Sequence, residues 1–230
     1  MLRDKRKTVE YFENYLAYQD TRIEKFSDVL NTLKMQDNVD TGQISQASGM
    51  IFNFLMDKFT AQYSYGSSLE ELKNTFSQCL DYTKSLRLLS YSEIVNLLSI
   101  SILLDEKDID SIRSSYQEQD DLQDDLIETL FTYIEKGQIE IQHKQGLEFP
   151  SIDGVFFNCI QGKVSPENLK TYLEEEWYDS HKNESWYDSD KSDTDTYCGY
   201  WSYLGAAVIK MKSFDKTFFE DVKYIPKDLI

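Results

Sequence analysis

Residues 9–33 read VEYFENYLAYQDTRIEKFSDVLNTL, and their spacing decides the fold class. Val9, Phe12, Leu16, Gln19, Ile23, Phe26, Leu30 and Leu33 recur at intervals of three and four, so an α-helix gathers them on one face for about seven turns. Gln19 is the polar break in that stripe, and Tyr11, Tyr15 and Tyr18 widen it. A helix this long is either a coiled-coil arm or a bundle member. The width favours the bundle, because a coiled-coil seam is narrow.

Working outward, helical patterning continues along the chain. Asp37 to Gly42 is a polar break, and a second helix is expected from about Gln43 to Tyr63, with Ile44, Ala47, Ile51, Phe54 and Leu55 inward. Ser67 with Glu70, and Ser90 with Glu93, fit the capping box, in which side chain and backbone satisfy each other's donors at a helix start. Leu69, Leu72, Phe76, Cys79 and Leu80 keep helical spacing towards Leu86. Ile94 to Leu104 is apolar nearly all round, which makes it the most buried helix of the N-terminal half; a buried strand is the competing reading of so short a run. After the acidic connection Asp105 to Asp110 and a short helix to about Gln117, a helix is expected from Asp120, with Leu122, Leu126, Leu130, Tyr133 and Ile134 inward.

Gly137 to Glu148 is polar and reads as a linker. Phe149-Pro150-Ser151 opens a helix carrying Ile152, Val155, Phe156, Cys159 and Ile160. Ser165-Pro166-Glu167 is a strong start signal, with a capping serine and proline at the first helical position. Leu169, Tyr172, Leu173 and Trp177 form the face that follows. A further helix is read from about Tyr197 to Lys212, with Tyr200, Trp201, Leu204, Val208 and Met211 inward and Gly205-Ala206-Ala207 permitting close approach of a neighbour. With 9 Gly and 3 Pro, a turn-rich sandwich is disfavoured. The expectation is an all-α helical bundle of about eight to ten helices with a long first helix, divided into an N-terminal region, 1–118, and a C-terminal region, 119–230.

Charge points to the function class. The net charge is −17, and it is concentrated. Residues 1–30 balance six acids with six bases; residues 105–140 carry twelve acids against three bases, and residues 165–197 ten against three, so these two segments supply −16 of the total. Such faces repel nucleic-acid phosphates and attract a basic protein. Direct nucleic-acid binding is therefore not expected. The candidate contacts are Asp120, Asp121, Asp124 and Asp125, together with Trp186, Tyr187, Asp188, Asp190, Asp193 and Asp195. Placed in the first turn and a half of a helix, the four aspartates also complement its dipole. Trp186 and Tyr187 suit either an aromatic anchor rimmed by charge or packing at an edge.

The commoner chemistries find no support. His143 and His181 are the two histidines, neither at metal-ligand spacing, and no GxSxG, Walker loop, GxGxxG or HExxH occurs. The run from Asp188 to Asp195 hints at calcium, but an EF-hand loop starting at Asp188 would have Asp193 where glycine belongs and Gly199 where glutamate belongs. Cys79, Cys159 and Cys198 match no zinc spacing and fit reduced structural thiols. No catalytic residue, cofactor or metal is expected. The N-terminus lacks the apolar core of a signal peptide and no run is long enough to span a bilayer, so a cytoplasmic protein without membrane association is expected.

A short echo, Trp177-Tyr178-Asp179-Ser180-His181-Lys182 and then Trp186-Tyr187-Asp188-Ser189-Asp190-Lys191, precedes Tyr197-Cys198-Gly199-Tyr200-Trp201-Ser202-Tyr203 and Ala206-Ala207-Val208. On these residues, and on the closing Tyr224-Ile225-Pro226-Lys227-Asp228-Leu229, the chain resembles the bacterial PoNi immunity proteins, the inhibitors of PoNe-type DNase toxins. The N-terminal Arg3-Asp4-Lys5 leading to Tyr11-Phe12 is similar to the family's N-terminal region. Two positions depart from the pattern: Tyr203-Leu204 stands where the family commonly has Phe-Glu, and Asp190-Lys191 where it tends to have His-Lys. The resemblance implies a mainly helical, non-enzymatic protein that binds a cognate DNase toxin domain of the PD-(D/E)xK type and protects the producer's cytoplasm. A helical adaptor for another basic protein is the alternative reading of the same acidic faces, and a homodimer paired through the long first helix is left open.

Overall fold

The computed structural model describes residues 1–36, 38, 40–141 and 145–230, so Asp37 of the expected polar break and His143 lie outside the described residues. Among the described residues there are ten α-helices and no strand. They are α1 (Val9–Lys34), α2 (Thr41–Tyr65), α3 (Leu69–Thr83), α4 (Tyr91–Leu104), α5 (Asp110–Gln117), α6 (Asp125–Lys136), α7 (Pro150–Ile160), α8 (Pro166–Glu175), α9 (Trp177–Ser180) and α10 (Tyr203–Met211). The all-α expectation holds, and α1 is the longest helix, 26 residues. No helix among the described residues is long and apolar enough to cross a membrane. Packing gathers the chain into two compact units, residues 1–88 with 188–199, and residues 89–187 with 200–230.

In the first unit α2 packs against both α1 and α3. Phe26 meets Phe54 edge-on at 5.4 Å, and Phe59 lies 5.9 Å from Phe76. Gln19, the break in the α1 stripe, is buried there and accepts a hydrogen bond from Arg22 (3.4 Å). The capping box of α3 uses Ser68 and Glu71, one residue beyond the expected Ser67 and Glu70. Ser67 instead continues the turn after Gly66, whose φ of 100° suits glycine.

A buried polar network fixes residues 197–198 in this unit. The Tyr197 phenol donates to the Asp4 carboxylate, which is 2% exposed and also accepts from Arg6 Nη1 at 2.9 Å. Arg6 Nη1 lies 3.2 Å from the same phenol oxygen. The Tyr11 hydroxyl donates to the Tyr197 carbonyl (2.8 Å) and accepts from the Tyr197 amide (3.0 Å), while Ser64 Oγ donates to the Cys198 carbonyl (2.6 Å). Burial and the adjacent Asp4 carboxylate push the Tyr197 phenol well above its ordinary pKa, so it stays a donor.

The second unit is built on α4, whose residues from Ile94 to Leu104 are buried apart from Asn96. The helical reading of that segment is correct, and the Ser90–Glu93 box forms as expected. Burying each such leucine or isoleucine contributes about 1.5–3 kcal/mol relative to exposure. α4 packs against α5, α6 and α10, and α7 against α8 and α10. At Gly205 a Cβ would sit 3.0 Å from Ile225 Cδ1 and 3.1 Å from Leu173 Cδ2, so the small residue permits the close approach anticipated. Three lysines satisfy carbonyls at helix C-termini: Lys210 donates to Leu103, Lys107 to Ile134 and Lys212 to Ile160.

Two helix starts differ from the sequence reading. The helix expected from Asp120 begins at Asp125, because Asp124 takes the cap position and its carboxylate accepts from the amides of Leu126 and Ile127. The helix expected from Tyr197 begins at Tyr203, with Ser202 as its cap. Residues 197–202 are not helical because their backbone groups bond elsewhere, Tyr197 with Tyr11 and the Ser202 amide to the Tyr224 carbonyl (2.8 Å). Tyr200 is buried as expected, whereas Trp201 is half-buried and not on a helix.

Replacing Tyr197 with Phe removes one donor from a buried carboxylate, which costs about 1–3 kcal/mol. A urea titration of Tyr197→Phe is expected to show a lower midpoint with an unchanged slope.

Candidate functional site

The segment from Glu118 to Glu128 divides its acids between two tasks. Asp124 is 1% exposed: besides capping α6, its second carboxylate oxygen accepts from the Glu148 amide at 2.7 Å, and its own amide donates to the Tyr116 hydroxyl. Asp125, 3% exposed, accepts from the amides of Gln145 and Gly146 and so holds the end of the expected linker against α6. These two aspartates hold structure together rather than presenting carboxylates outward. Asp120 and Asp121 precede the cap on a turn and are exposed. Asp120 borders an open groove of about 330 Å³, with Gln119, Leu122, Glu128 and Gln145.

The neighbouring cations among the described residues are occupied close to home. Arg113 pairs with Glu135 and reaches Glu128 at 4.0 Å while its guanidinium lies 4.0 Å over the Phe131 ring. Lys136 pairs with Glu140, and Lys107 serves the Ile134 carbonyl. Asp108, Asp110, Glu118, Asp120 and Asp121 are all exposed and have no cationic partner among the described residues. Asp108, Asp110 and Glu118 were not singled out from sequence, although the same charge count contains them.

The tandem echo pairs with itself. Trp177 stacks on Trp186 (5.8 Å, 19° between planes) and Tyr178 on Tyr187 (4.5 Å, 26°), and the Tyr187 hydroxyl donates to Asp179 at 3.2 Å. Tyr200 and Tyr224 complete the cluster, 5.1 Å and 5.3 Å from Tyr178. Each such pair adds about 0.5–1.5 kcal/mol beyond area burial. Trp186 and Tyr187 are therefore packed, yet half-buried. His181 Nδ1 lies 2.7 Å from the Trp177 carbonyl, which places it at the end of α9 in the same cluster.

Asp188, Asp190, Asp193 and Asp195 belong to the first packing unit, and Trp186 and Tyr187 to the second. Asp188 adopts φ 57° and pairs with Lys191 at 2.6 Å, and a 3-10 turn spans Ser189–Lys191. Asp190 is half-buried; Asp193 and Asp195 are exposed. Among the described residues, no three His, Cys, Asp or Glu side chains group so as to hold a metal ion.

One buried acid has no signature in the sequence. Asp153, in the first turn of α7, accepts from the Tyr91 hydroxyl at 2.7 Å. Burial pushes its carboxyl up to about 6 against the opposing pull of that hydrogen bond.

Fold and surface together define an acidic all-α protein that displays carboxylates, with Arg6 bracing a buried acid and Lys107, Lys210 and Lys212 bracing helix ends. The sequence comparisons say which one. Family models of the PoNe immunity proteins (PoNi) match residues 3–113 with their N-terminal part and residues 122–229 with their C-terminal part, and the chain belongs to this family. Membership implies immunity against a nuclease toxin. A search of curated proteins gives no match. In fold the chain is similar to the crystal structure of protein PA2201 from Pseudomonas aeruginosa, with a TM-score of 0.65 at 14% identity, over 100% of this chain and 96% of that one.

The division of tasks among the aspartates is measurable. Asp124→Ala removes a cap and leaves the Glu148 amide without its acceptor, so an expected loss of about 2–4 kcal/mol should appear in chemical unfolding, against about 0.5 kcal/mol or less for Asp120→Ala and Asp121→Ala. Asp153 holds its proton more tightly folded than unfolded. Its contribution to stability is therefore intact below about pH 4 and is lost as pH rises through 6. Asp153→Asn keeps an acceptor for Tyr91, and its thermal midpoint should exceed wild type at pH 8 and converge with it near pH 4.

Proposed function

We propose that this chain neutralises a cognate DNase toxin by binding it, setting exposed carboxylates against the basic face with which the nuclease holds DNA. The observation that supports this most is the run of exposed acids Asp108, Asp110, Glu118, Asp120 and Asp121, beside which the described cations Lys107, Arg113 and Lys136 are engaged with other groups. Any DNase needs positive potential to hold phosphates. A complementary acidic face raises the association rate, up to ~10⁸–10⁹ M⁻¹s⁻¹ at low salt. Asp193 and Asp195, exposed in the return segment, are a second contact candidate. Trp186 and Tyr187 qualify only through the edges that their stacking leaves uncovered, and Asp188 and Asp190 only through what remains exposed beside Lys191.

The partner is a toxin domain of the PD-(D/E)xK type in this reading, and the chain acts in the cytoplasm of the producing cell without catalysing a reaction. Bound on the nuclease's DNA-binding or catalytic surface, it competes with substrate by occupying space and by cancelling charge.

Co-expression with the cognate nuclease domain should rescue growth, and the two chains should co-purify. A toxic strain that yields no complex contradicts the proposal. Reversing Asp120 and Asp121 together to Lys should slow association about tenfold at low salt, with the free chain's thermal midpoint essentially unchanged. If neither this variant nor the equivalent reversal of Asp193 and Asp195 alters the rate, these residues are not the contact surface.

A further inference from the structure

An open groove of about 830 Å³ runs along α1 in the first packing unit. Tyr11, Asn14, Tyr15, Tyr18 and Arg22 recur at three-four spacing and form one wall; Asp57 of α2 and residues 194–196 border it as well. The wall spans eleven residue steps, roughly 16 Å at the α-helical rise. Its carboxylates are Glu10, Asp57 and Asp195, and its cation is Arg22, whose guanidinium lies 3.6 Å over the Phe54 ring and donates to Gln19.

Asp57 is the telling residue. It is half-buried, yet no described residue donates a hydrogen bond to its carboxylate. Taking a carboxylate partly out of water without a donor is costly, and it persists where a ligand supplies what the fold does not. Burial pushes the group up to about 6, against the pull of Arg22. On the same groove Tyr18 is 56% exposed, a large aromatic with a polar tip of the kind that anchors interfaces. The tyrosines already receive cations from within the chain: Lys7 Nζ lies 5.1 Å from the centre of the Tyr11 ring, and Arg22 5.3 Å from that of Tyr18. Hydroxyls and amides from Thr8, Asn14, Thr194 and Thr196 supply further acceptors.

We infer that this groove seats an arginine or lysine side chain of the bound nuclease, with Asp57 as its carboxylate partner and Tyr18 as the aromatic surface beside it. The inference rests on the proposed toxin-binding role and adds a specific, deeper contact to the peripheral acids. Steering comes from the exposed aspartates and acts on the association rate. A half-buried pair in a groove acts on dissociation.

The test measures binding of the full chain to the cognate nuclease domain by a kinetic method, alongside thermal unfolding of the free chain. Asp57→Asn preserves shape and removes the charge; it should speed dissociation about tenfold and leave association within about twofold, with the free chain's midpoint unchanged or raised. A dissociation rate within twofold of wild type overturns the groove while leaving the toxin-binding role standing. Should Asp57→Asn lower the midpoint, Tyr18→Ala, at an exposed position, decides in its place by the same criterion. No complex with the wild-type chain overturns both readings at once.

Discussion

Twenty-four cationic side chains face forty-one acidic ones in this chain, and the positions of the cations determine much of what the structure does. Arg6 bonds the buried Asp4 carboxylate that also receives the Tyr197 phenol, and Arg3 donates to the carbonyls of Tyr63 and Ser67. Lys210, Lys107 and Lys212 close helix C-termini in the second unit. These sites place positive charge where a buried acid or an orphan carbonyl would otherwise remain unsatisfied. The consequence is a set of exposed carboxylates, Asp108, Asp110, Glu118, Asp120 and Asp121, without a cationic partner among the described residues, on which the proposed toxin binding rests.

Acidic residues do two different jobs that sequence composition alone does not separate. Asp4, Asp124, Asp125 and Asp153 are buried and hold backbone or phenol donors in place. Asp108, Asp110, Asp120 and Asp121 are exposed and free of such tasks. In the proposed complex, association driven by the second group would fall with salt, since exposed charges are screened over a Debye length of about 8 Å at physiological ionic strength. Groups in a groove, where water is partly excluded, are screened less, so the two kinds of contact are separable by ionic strength as well as by mutation.

Most of the helical architecture was legible in the sequence because it rests on local signals. The three-four spacing of α1, the apolar run of α4, the Ser90–Glu93 box and the Ser165-Pro166 start each appear where the residues say. Failures came where a distant partner overrode local preference. Tyr197 to Ser202 carries a helix-like pattern, but its backbone bonds to Tyr11 and Tyr224 hold it out of a helix. Asp124 and Asp125 look like surface charge until the loop at 145–148 closes over them. The tandem echo is visible as a repeat, but its meaning, tryptophan on tryptophan and tyrosine on tyrosine, emerges only when the chain folds back on itself. Asp57 left no trace in the sequence because its environment is assembled from α1, α2 and the return segment.

In the proposed complex, recognition of the toxin is electrostatically steered by exposed carboxylates on this chain. Stopped-flow association of the wild-type chain with its cognate nuclease domain across a range of sodium chloride concentrations tests it most directly. Electrostatic steering requires an association rate that falls steeply and monotonically as salt rises from about 50 to 500 mM, with a much smaller change in dissociation. An association rate that stays flat across that range would contradict it.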